Sequence, residues 1–253
     1  MKQTSKKILL ITSEFPPQPG GIGNHAYNLA DNLLKNDFMV EVIADERDSG
    51  TEEKAFDERL DFKIQRIKLR SWRFVMYLNR LRTSFKKIKT AEIVMASGKF
   101  SLWVVAFMSF FYNRHYVAVI HGSEVNFKNL ILRATINFAL KQFDKIIAVS
   151  NYTKSLISEL NLRSVTVISN GFDASDWYET NMDNIELTGN PKLITVGNVT
   201  KRKGQLNVIR HLPILLENYP AIHYHCVGLP TEKEEFIKVA VALEVEDHVT
   251  FHG

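Results

Sequence analysis

The sequence predicts an α/β protein: a Rossmann-like parallel sheet with helices on both faces, followed by an incomplete second Rossmann-like domain. Three observations carry this expectation. Short β-branched runs alternate with helical patterns along the whole chain, as in a parallel sheet covered on both sides. Glycine-bearing loops follow several of those runs. After a polar stretch ending at Pro191 the strand–loop–helix pattern starts again at Lys192. The expected organisation is therefore an amino-terminal domain over 1–173, a linker over 174–191, and the start of a second domain over 192–253.

Strands are expected at Ile8–Ile11, Val40–Ala44, Phe62–Leu69, Ile93–Ala96, Tyr116–Ile120, Lys145–Val149 and Val165–Ile168, then at Lys192–Val196, Tyr224–Val227 and Val249–Phe251. Each is a short apolar run bounded by turn residues or charges. Helices are expected near 23–36, 73–89, 101–112, 127–142, 152–160, 205–218 and 231–243, where apolar residues recur three and four apart. No fixed-period repeat is visible.

The 253 residues are 45% hydrophobic and 24% charged, with a net charge of +4. Those are globular proportions. The single cysteine, Cys226, excludes an intrachain disulfide and fits a reducing compartment. The apolar run Ile8–Ile11 is too short for a secretory signal, and Leu102–Tyr112 is too short to span a bilayer. A cytoplasmic protein is expected, with peripheral association at the inner face of the membrane as an addition. From Phe62 to Ala91 there are ten Lys or Arg and no Asp or Glu. Phe74, Tyr77, Leu78, Leu81, Phe85 and Ile88 recur there at helical spacing beside Trp72 and the cations. Such a segment can lie on an anionic membrane surface, or it can pack its stripe on a sheet and solvate its charges. No nucleic-acid module accompanies it, so no nucleic-acid partner is expected.

Several loops carry candidate chemistry. The first strand leads through Ser13-Glu14-Phe15-Pro16-Pro17-Gln18-Pro19 to Gly20, Gly21 and Gly23, then to a helix. A glycine turn opening a helix offers free N–H groups and the positive helix end to an anion. Gly21, Gly23 and Ala26 also match a dinucleotide fingerprint, with Asp45 as its ribose-binding acid. That fingerprint wants its first glycine directly after the strand, and nine residues intervene here. A plain strand–helix connector is the third reading. His121-Gly122 ends the fifth strand, at the edge where open α/β sheets place ligands. A histidine there can exchange hydrogen bonds with a substrate or serve only a local backbone partner. Ser150 reads as a helix cap, and Asn170-Gly171 as a turn. In the restarted domain Lys201, Arg202 and Lys203 precede a helix, where cations are unfavourable unless an anion joins them. His223 and His225 alternate on one strand beside Cys226, a weak metal-site pattern without a third ligand nearby in sequence.

Taken in order, these pieces resemble the family 4 (group 1) retaining glycosyltransferases of the type-B fold. They are Pro19-Gly20-Gly21-Ile22-Gly23, His121-Gly122, Ala148-Val149-Ser150, Ser169-Asn170-Gly171-Phe172-Asp173, and Val196-Gly197 through Lys203-Gly204. The resemblance covers essentially the whole chain. It implies two Rossmann-like domains across a cleft, the first holding the acceptor and the second a nucleotide-sugar donor. It also implies sugar transfer with retained anomeric configuration to a glycan or lipid-linked acceptor. Gly20, Gly21 and Gly23, with Asn170 and Gly171, would meet donor phosphate or acceptor. His121 would stand by the transferred sugar, and Lys203 with Arg202 would neutralise the leaving diphosphate. No cofactor or catalytic metal is implied. Two departures stand out. Asn198 occupies a place where the family often has arginine. The acidic donor loop, two glutamates seven residues apart, is absent, so a fragment with little activity of its own is expected. The rival readings are a non-catalytic half that binds acceptor, partner or membrane, an NAD-dependent oxidoreductase using Gly21 and Asp45, and a nucleotide-sugar epimerase. The epimerase would want a pair of acid–base carboxylates, and none stands out.

Overall fold

In a computed structural model of the chain, residues 5–47, 51–68, 73–172 and 186–253 are described. The chain divides into two compact units, Met1–Asp173 and Ala174–Gly253. Most of the expected linker, together with Trp72 and Leu69, lies outside the described residues.

In the first unit, β1 (Lys7–Thr12), β2 (Met39–Glu46), β3 (Lys63–Lys68), β4 (Ile93–Ser97), β5 (His115–Ile120), β6 (Lys145–Ala148) and β7 (Val165–Val167) form one sheet. The order is β3-β2-β1-β4-β5-β6-β7, and every pairing is parallel. Side chains alternate as the pleat demands. Leu9 and Ile11 enter one apolar layer while Ile8 and Leu10 enter the other. The first layer lies under α3 (Arg73–Ile88), α4 (Lys99–Met108) and α5 (Leu130–Leu140), which contribute Met76, Leu102 and Ile136. The second lies under α1 (Gly21–Lys35) and α2 (Thr51–Asp57), through Ala26, Ala30 and the partly buried Phe56. Ser150 caps α6 (Asn151–Ser155), its Oγ accepting from Thr153 N at 3.0 Å.

Helix α2 is an addition to the expected elements. Its seven residues, Thr-Glu-Glu-Lys-Ala-Phe-Asp, are too few to show an apolar period. It is held by Arg66 on β3, which donates to both Asp57 carboxylate oxygens, at 3.0 and 2.7 Å, and to Glu53 Oε1 at 3.4 Å. The same guanidinium donates to Pro16 O at 2.6 Å and lies over the Phe15 ring.

Helix α3 differs from the expected amphipathic stripe. Met76, Arg80, Ser84 and Ile88, one turn apart, are its buried residues, whereas Phe74, Tyr77 and Leu78 are exposed. The reason is an ion pair. Arg80 grips the Asp45 carboxylate at the end of β2 with two N–H groups, one at 2.7 Å to Oδ1. Burial pushes the Asp45 carboxyl up, against the pull of Arg80. Lys87 likewise pairs with the buried Glu41, which Lys7 also contacts at 2.8 Å. Burial raises Glu41, but the two lysines outweigh it and hold the carboxyl below its ordinary value. Arg66, Arg80 and Lys87 are therefore internal partners rather than free surface charge.

In the second unit β8 (Lys192–Val196), β9 (His223–Val227) and β10 (Val249–Phe251) pair in parallel in the order β10-β9-β8. Helices α7 (Gln205–Asn218) and α8 (Lys233–Ala242) pack Leu206, Ile209, Leu212, Phe236 and Ala240 against Tyr224 and Cys226.

The Asp45–Arg80 pair generates a stability prediction. Arg80→Met alone strands a buried carboxylate and should cost about 3–5 kcal/mol in urea unfolding. Arg80→Met combined with Asp45→Ala should cost less than Arg80→Met alone. Equal or greater loss in the double variant would show that the charge pair is not what α3 depends on.

Candidate functional site

Strand order reverses between β1 and β4, which places the loops after these strands on either side of a crevice at the carboxyl edge of the sheet. The loop after β1 is anchored. Phe15 is buried at 1% exposure, in edge contact with Tyr27, Phe56 and Phe62 at 6.1–6.5 Å between ring centres. Thr12 Oγ1 donates to Glu14 O at 2.9 Å. The loop delivers the chain to Gly20, which precedes α1 without a side-chain cap, and the first turn holds no acid. The first helical N–H groups, from Gly21 to Gly23, thus keep their donors open.

The three glycines differ in why they are small. A Cβ on Gly23 would lie 3.1 Å from Phe15 N, so this glycine lets α1 close on the loop. A Cβ on Gly20 would meet only the flexible Glu14 carboxylate, and one on Gly21 would meet nothing within 4 Å. The protein's own packing does not require glycine at 21. What it keeps clear is the approach to the backbone N–H.

His121 follows β5 at the same edge. Its Nε2 is 3.1 Å from Ser97 Oγ, at the end of β4. Its backbone N–H donates to Glu124 Oε1 at 2.5 Å, and Ser123 Oγ donates to the other oxygen of that buried carboxylate at 3.3 Å. Burial raises the Glu124 carboxyl, against these donors and the N–H groups of Glu124 and Gly122. Gly122 has φ +111, a conformation that side chains disfavour and that lets the loop turn back to Glu124. The ring of His25, on α1, stands edge-on to that of His121 at 4.9 Å. Burial lowers His121 to about 4; burial, then the neighbouring His121, lowers His25 to about 4. Both imidazoles are neutral near pH 7. They act as hydrogen-bonding groups rather than as cations. Nδ1 of His25 is buried and has no hydrogen-bond partner among the described residues. The strand order thus brings Gly20, Gly21, Gly23 and His121 to one edge, and adds Ser97, Glu124 and His25, which sequence reasoning did not single out. The pairing of His25 with His121 spans 96 residues and leaves no local signal.

Asn170 and Gly171 lie beyond β7 and are exposed. Asp45 is sequestered by Arg80, which removes the ribose-binding role that the dinucleotide reading gave it.

In the second unit, Lys201–Lys203 form a short 3-10 turn, and Gly204, at φ +85, starts α7. The buried Gln205 amide donates to Gly197 O at 3.2 Å and Asn198 O at 3.1 Å, holding this loop to the end of β8. Its three cations have different fates. Lys201 pairs with Glu235 at 2.6 Å. Arg202 and Lys203 have no ion pair among the described residues, and the Lys203 stem lies beside Gly197. Gly197 and Gly228 approach closely: a Cβ on Gly228 would fall 2.6 Å from Gly197 C. The histidines of β9 are engaged, His223 with Thr250 Oγ1 at 2.8 Å and His225 with Thr188 O at 2.9 Å and His252 Nε2 at 3.0 Å. Among the described residues no group of three His, Cys, Asp or Glu is arranged to hold a metal, and no helix is long and apolar enough to cross a membrane.

An uncapped helix start and a hydrogen-bonded histidine thus share one sheet edge in the first unit of an α/β protein, and in the second unit the first strand of a parallel sheet is followed by two cations, Arg202 and Lys203, without an ion pair among the described residues. Two family models match in tandem, Glycosyltransferase Family 4 over 19–176 and Glycosyl transferases group 1 over 179–253. The chain belongs to glycosyltransferase family 4. Among solved structures it is similar to Anabaena HepE in complex with UDP and glucose, at 20% identity and TM-score 0.71 over 98% of this chain and 69% of that one. It is similar also to the sucrose-phosphate synthase of Thermosynechococcus elongatus, at 17% identity and TM-score 0.77 over 98% and 70%. The glycosyltransferase of Rickettsia africae matches at 18% identity and TM-score 0.72 over 99% and 69%. These likenesses show the type-B fold. No curated protein sequence matches the chain.

The glycine geometry predicts a contrast. Gly23→Ala should destabilise the protein by about 1–3 kcal/mol through its clash with the Phe15 backbone. Gly21→Ala should leave stability within about 1 kcal/mol of the parent while reducing ligand binding. Thermal unfolding and binding of the same two variants check both halves.

The imidazoles predict a pH dependence. In the unfolded chain each protonates near 6.5, and in the fold near 4. Their contribution to stability is full above pH 6.5 and is lost as pH falls towards 4, because the unfolded state takes up protons first. NMR titration of His25 and His121 should give midpoints near 4; midpoints near 6.5 would mean that the pair is solvated.

Proposed function

We propose that the protein transfers a sugar, with retention, from a nucleotide-sugar donor to a glycan or lipid-linked acceptor. The carrying observation is His121. It is fixed between Ser97 and the Glu124 loop at the strand-order switch, beside the open helix start at Gly21, in a chain that matches two glycosyltransferase family models in tandem. The known structures of HepE with UDP and with UDP-glucose support a nucleotide-sugar as donor class, and TarM with a glycerol glycoside and UDP supports a glycan-type acceptor.

In this reading the first unit takes the acceptor and the second the donor. Neutral His121 hydrogen-bonds the transferred sugar and orients it. Its role is positioning and dipolar stabilisation, since an imidazole that protonates near 4 carries no charge at working pH. Lys203, with Arg202 beside it, neutralises negative charge on the departing diphosphate, which is electrostatic stabilisation where charge develops. Asn170 and Gly171, exposed at the end of the first unit, contribute polar and backbone contacts to the substrate. No catalytic metal is required in this scheme, since two unpaired cations supply the countercharge. The reaction belongs to a protein working in the cytoplasm.

A second element of the reading is contact with an anionic membrane. Residues 62–91 alone are a poor basis for it, because three of their cations are committed to internal carboxylates.

The chain spans 69% of the HepE chain, and we expect the isolated 253 residues to show little turnover. In an active form, His121→Ala should lower kcat by about 10²–10³-fold with a smaller effect on KM, and Lys203→Ala should weaken nucleoside diphosphate binding by roughly tenfold. The product anomer, read by NMR, tests retention. Normal turnover by His121→Ala, or an inverted product, would sink the corresponding part of the proposal.

A further inference from the structure

The layer formed by α3, α4 and α5 has a composition unlike the rest of the molecule. None of the three helices contains an Asp or Glu, and between Glu92 and Asp144 the one acid is Glu124, which is buried in the site loop. The helices lie side by side on one face of the sheet, sharing a single apolar layer beneath them. Their outward side is rich in cations that the fold does not use. Arg82, Lys86, Lys89, Lys128, Arg133 and Lys141 are exposed, and none has an ion-pair partner among the described residues.

Among those cations stand large apolar side chains that a solvated surface would not select. Leu130 and Ile131, in the first turn of α5, are 77% and 74% exposed. Phe107, Phe110 and Phe111 at the end of α4, and Phe138 on α5, are each about half exposed or more. Phe110 and Phe138 stack at 6.3 Å across the two helices. Between α4 and α5 runs an apolar groove of about 370 Å³, bounded by Trp103, Phe107, Phe110 and Phe138. A contiguous exposed apolar patch of this kind marks an interaction site.

We propose that the α3–α4–α5 face docks on an anionic lipid bilayer, with Phe107, Phe110, Phe138 and the start of α5 entering the headgroup–acyl boundary and the six cations lying over lipid phosphates. The choice of occupant follows from charge. The face offers cations and no exposed acid from its helices, so a second copy of the same face would meet like charge. A sheet of anionic headgroups complements both the cations and the aromatic side chains between them. The surface is wider than the basic segment 62–91, and α4 and α5 carry most of its apolar contact. The surface itself needs nothing from the transferase reading. Only its use, to bring the site to a lipid-linked acceptor, rests on that reading.

Vesicle flotation of the 253-residue chain, without donor or acceptor, tests it. The chain should float with vesicles containing phosphatidylglycerol and not with pure phosphatidylcholine. Arg82→Glu, Lys86→Glu and Arg133→Glu together should weaken binding by about tenfold or more. Phe110→Ser with Phe138→Ser should do the same. Because each substitution is at an exposed position, retained circular dichroism is expected. A second measurement leaves the cations and phenylalanines of the docking face in place: with Trp72 and Trp177 replaced by Phe, brominated phosphatidylglycerol should quench Trp103. His121→Ala should bind vesicles as the parent does, so loss of transfer and loss of docking are separable. No flotation with anionic vesicles, or unquenched Trp103, would overturn the proposal. A dimer in solution that Phe110→Ser with Phe138→Ser dissociates would overturn it in favour of contact between copies.

Discussion

The constraint on which the first unit depends is the reversal of strand order between β1 and β4. Parallel strands joined by right-handed crossovers can be added on either side of the first one. Here β2 and β3 go to one side, and β4 to β7 to the other. At the reversal the loops after β1 and β4 turn to opposite faces, and the space between them is left uncovered by either. The glycine loop and the histidine pair of this unit are placed at that gap. The glycine-led start of α1 lies on one side of it. Ser97 lies at the end of β4, and His121 reaches Ser97 from β5, the next strand along. Residues far apart in the chain meet there because parallel strands all end at the same edge.

Burial then decides the electrostatic character of each group. His25 and His121 lose their charge because desolvation outweighs anything nearby that could stabilise it, and each would repel the other if both were protonated. Asp45 faces the same desolvation but retains a guanidinium partner, so the cost of that charge is shared by a pair with good geometry. The contrast explains why the acid that seemed placed for a ribose serves the core. A carboxylate at the end of β2 is free for a ligand only if no cation from the covering helix reaches it, and Arg80 reaches it.

How far the sequence can be read follows the same physics. Each of the ten strands among the described residues was legible as a short β-branched or apolar run between turn residues or charges, and the limits shifted by only a residue or two. The long helices were legible from their period. Helix α2 was not, since seven residues with one phenylalanine have no period to show. The stripe on α3 was legible in its second half, where Ile88 is buried and Leu81 and Phe85 pack on the core, but not in the buried Arg80, a position that hydropathy assigns to solvent and that the location of Asp45 explains. The glycines, His121 and the cations before α7 were legible as candidates. Their supporting residues, Phe15, Arg66, Ser97, Glu124 and Gln205, act across long separations or through loop geometry, which a linear pattern does not record.

The cations before α7 show how local structure sorts groups that look alike in sequence. Three positive charges ahead of a helix would be unfavourable together at its positive end. The 3-10 turn and the left-handed Gly204 separate them from the first turn of α7, and Gln205 pulls the loop back to β8 through Gly197 and Asn198. Within that turn Lys201 swings to Glu235 on α8, where its charge serves packing. The Lys203 stem lies instead beside Gly197, at the end of the strand. The turn therefore divides its charge between the fold and the sheet edge. An anion arriving at that edge would meet in Lys203 a lysine with no carboxylate to displace among the described residues, whereas Lys201 would first have to leave Glu235.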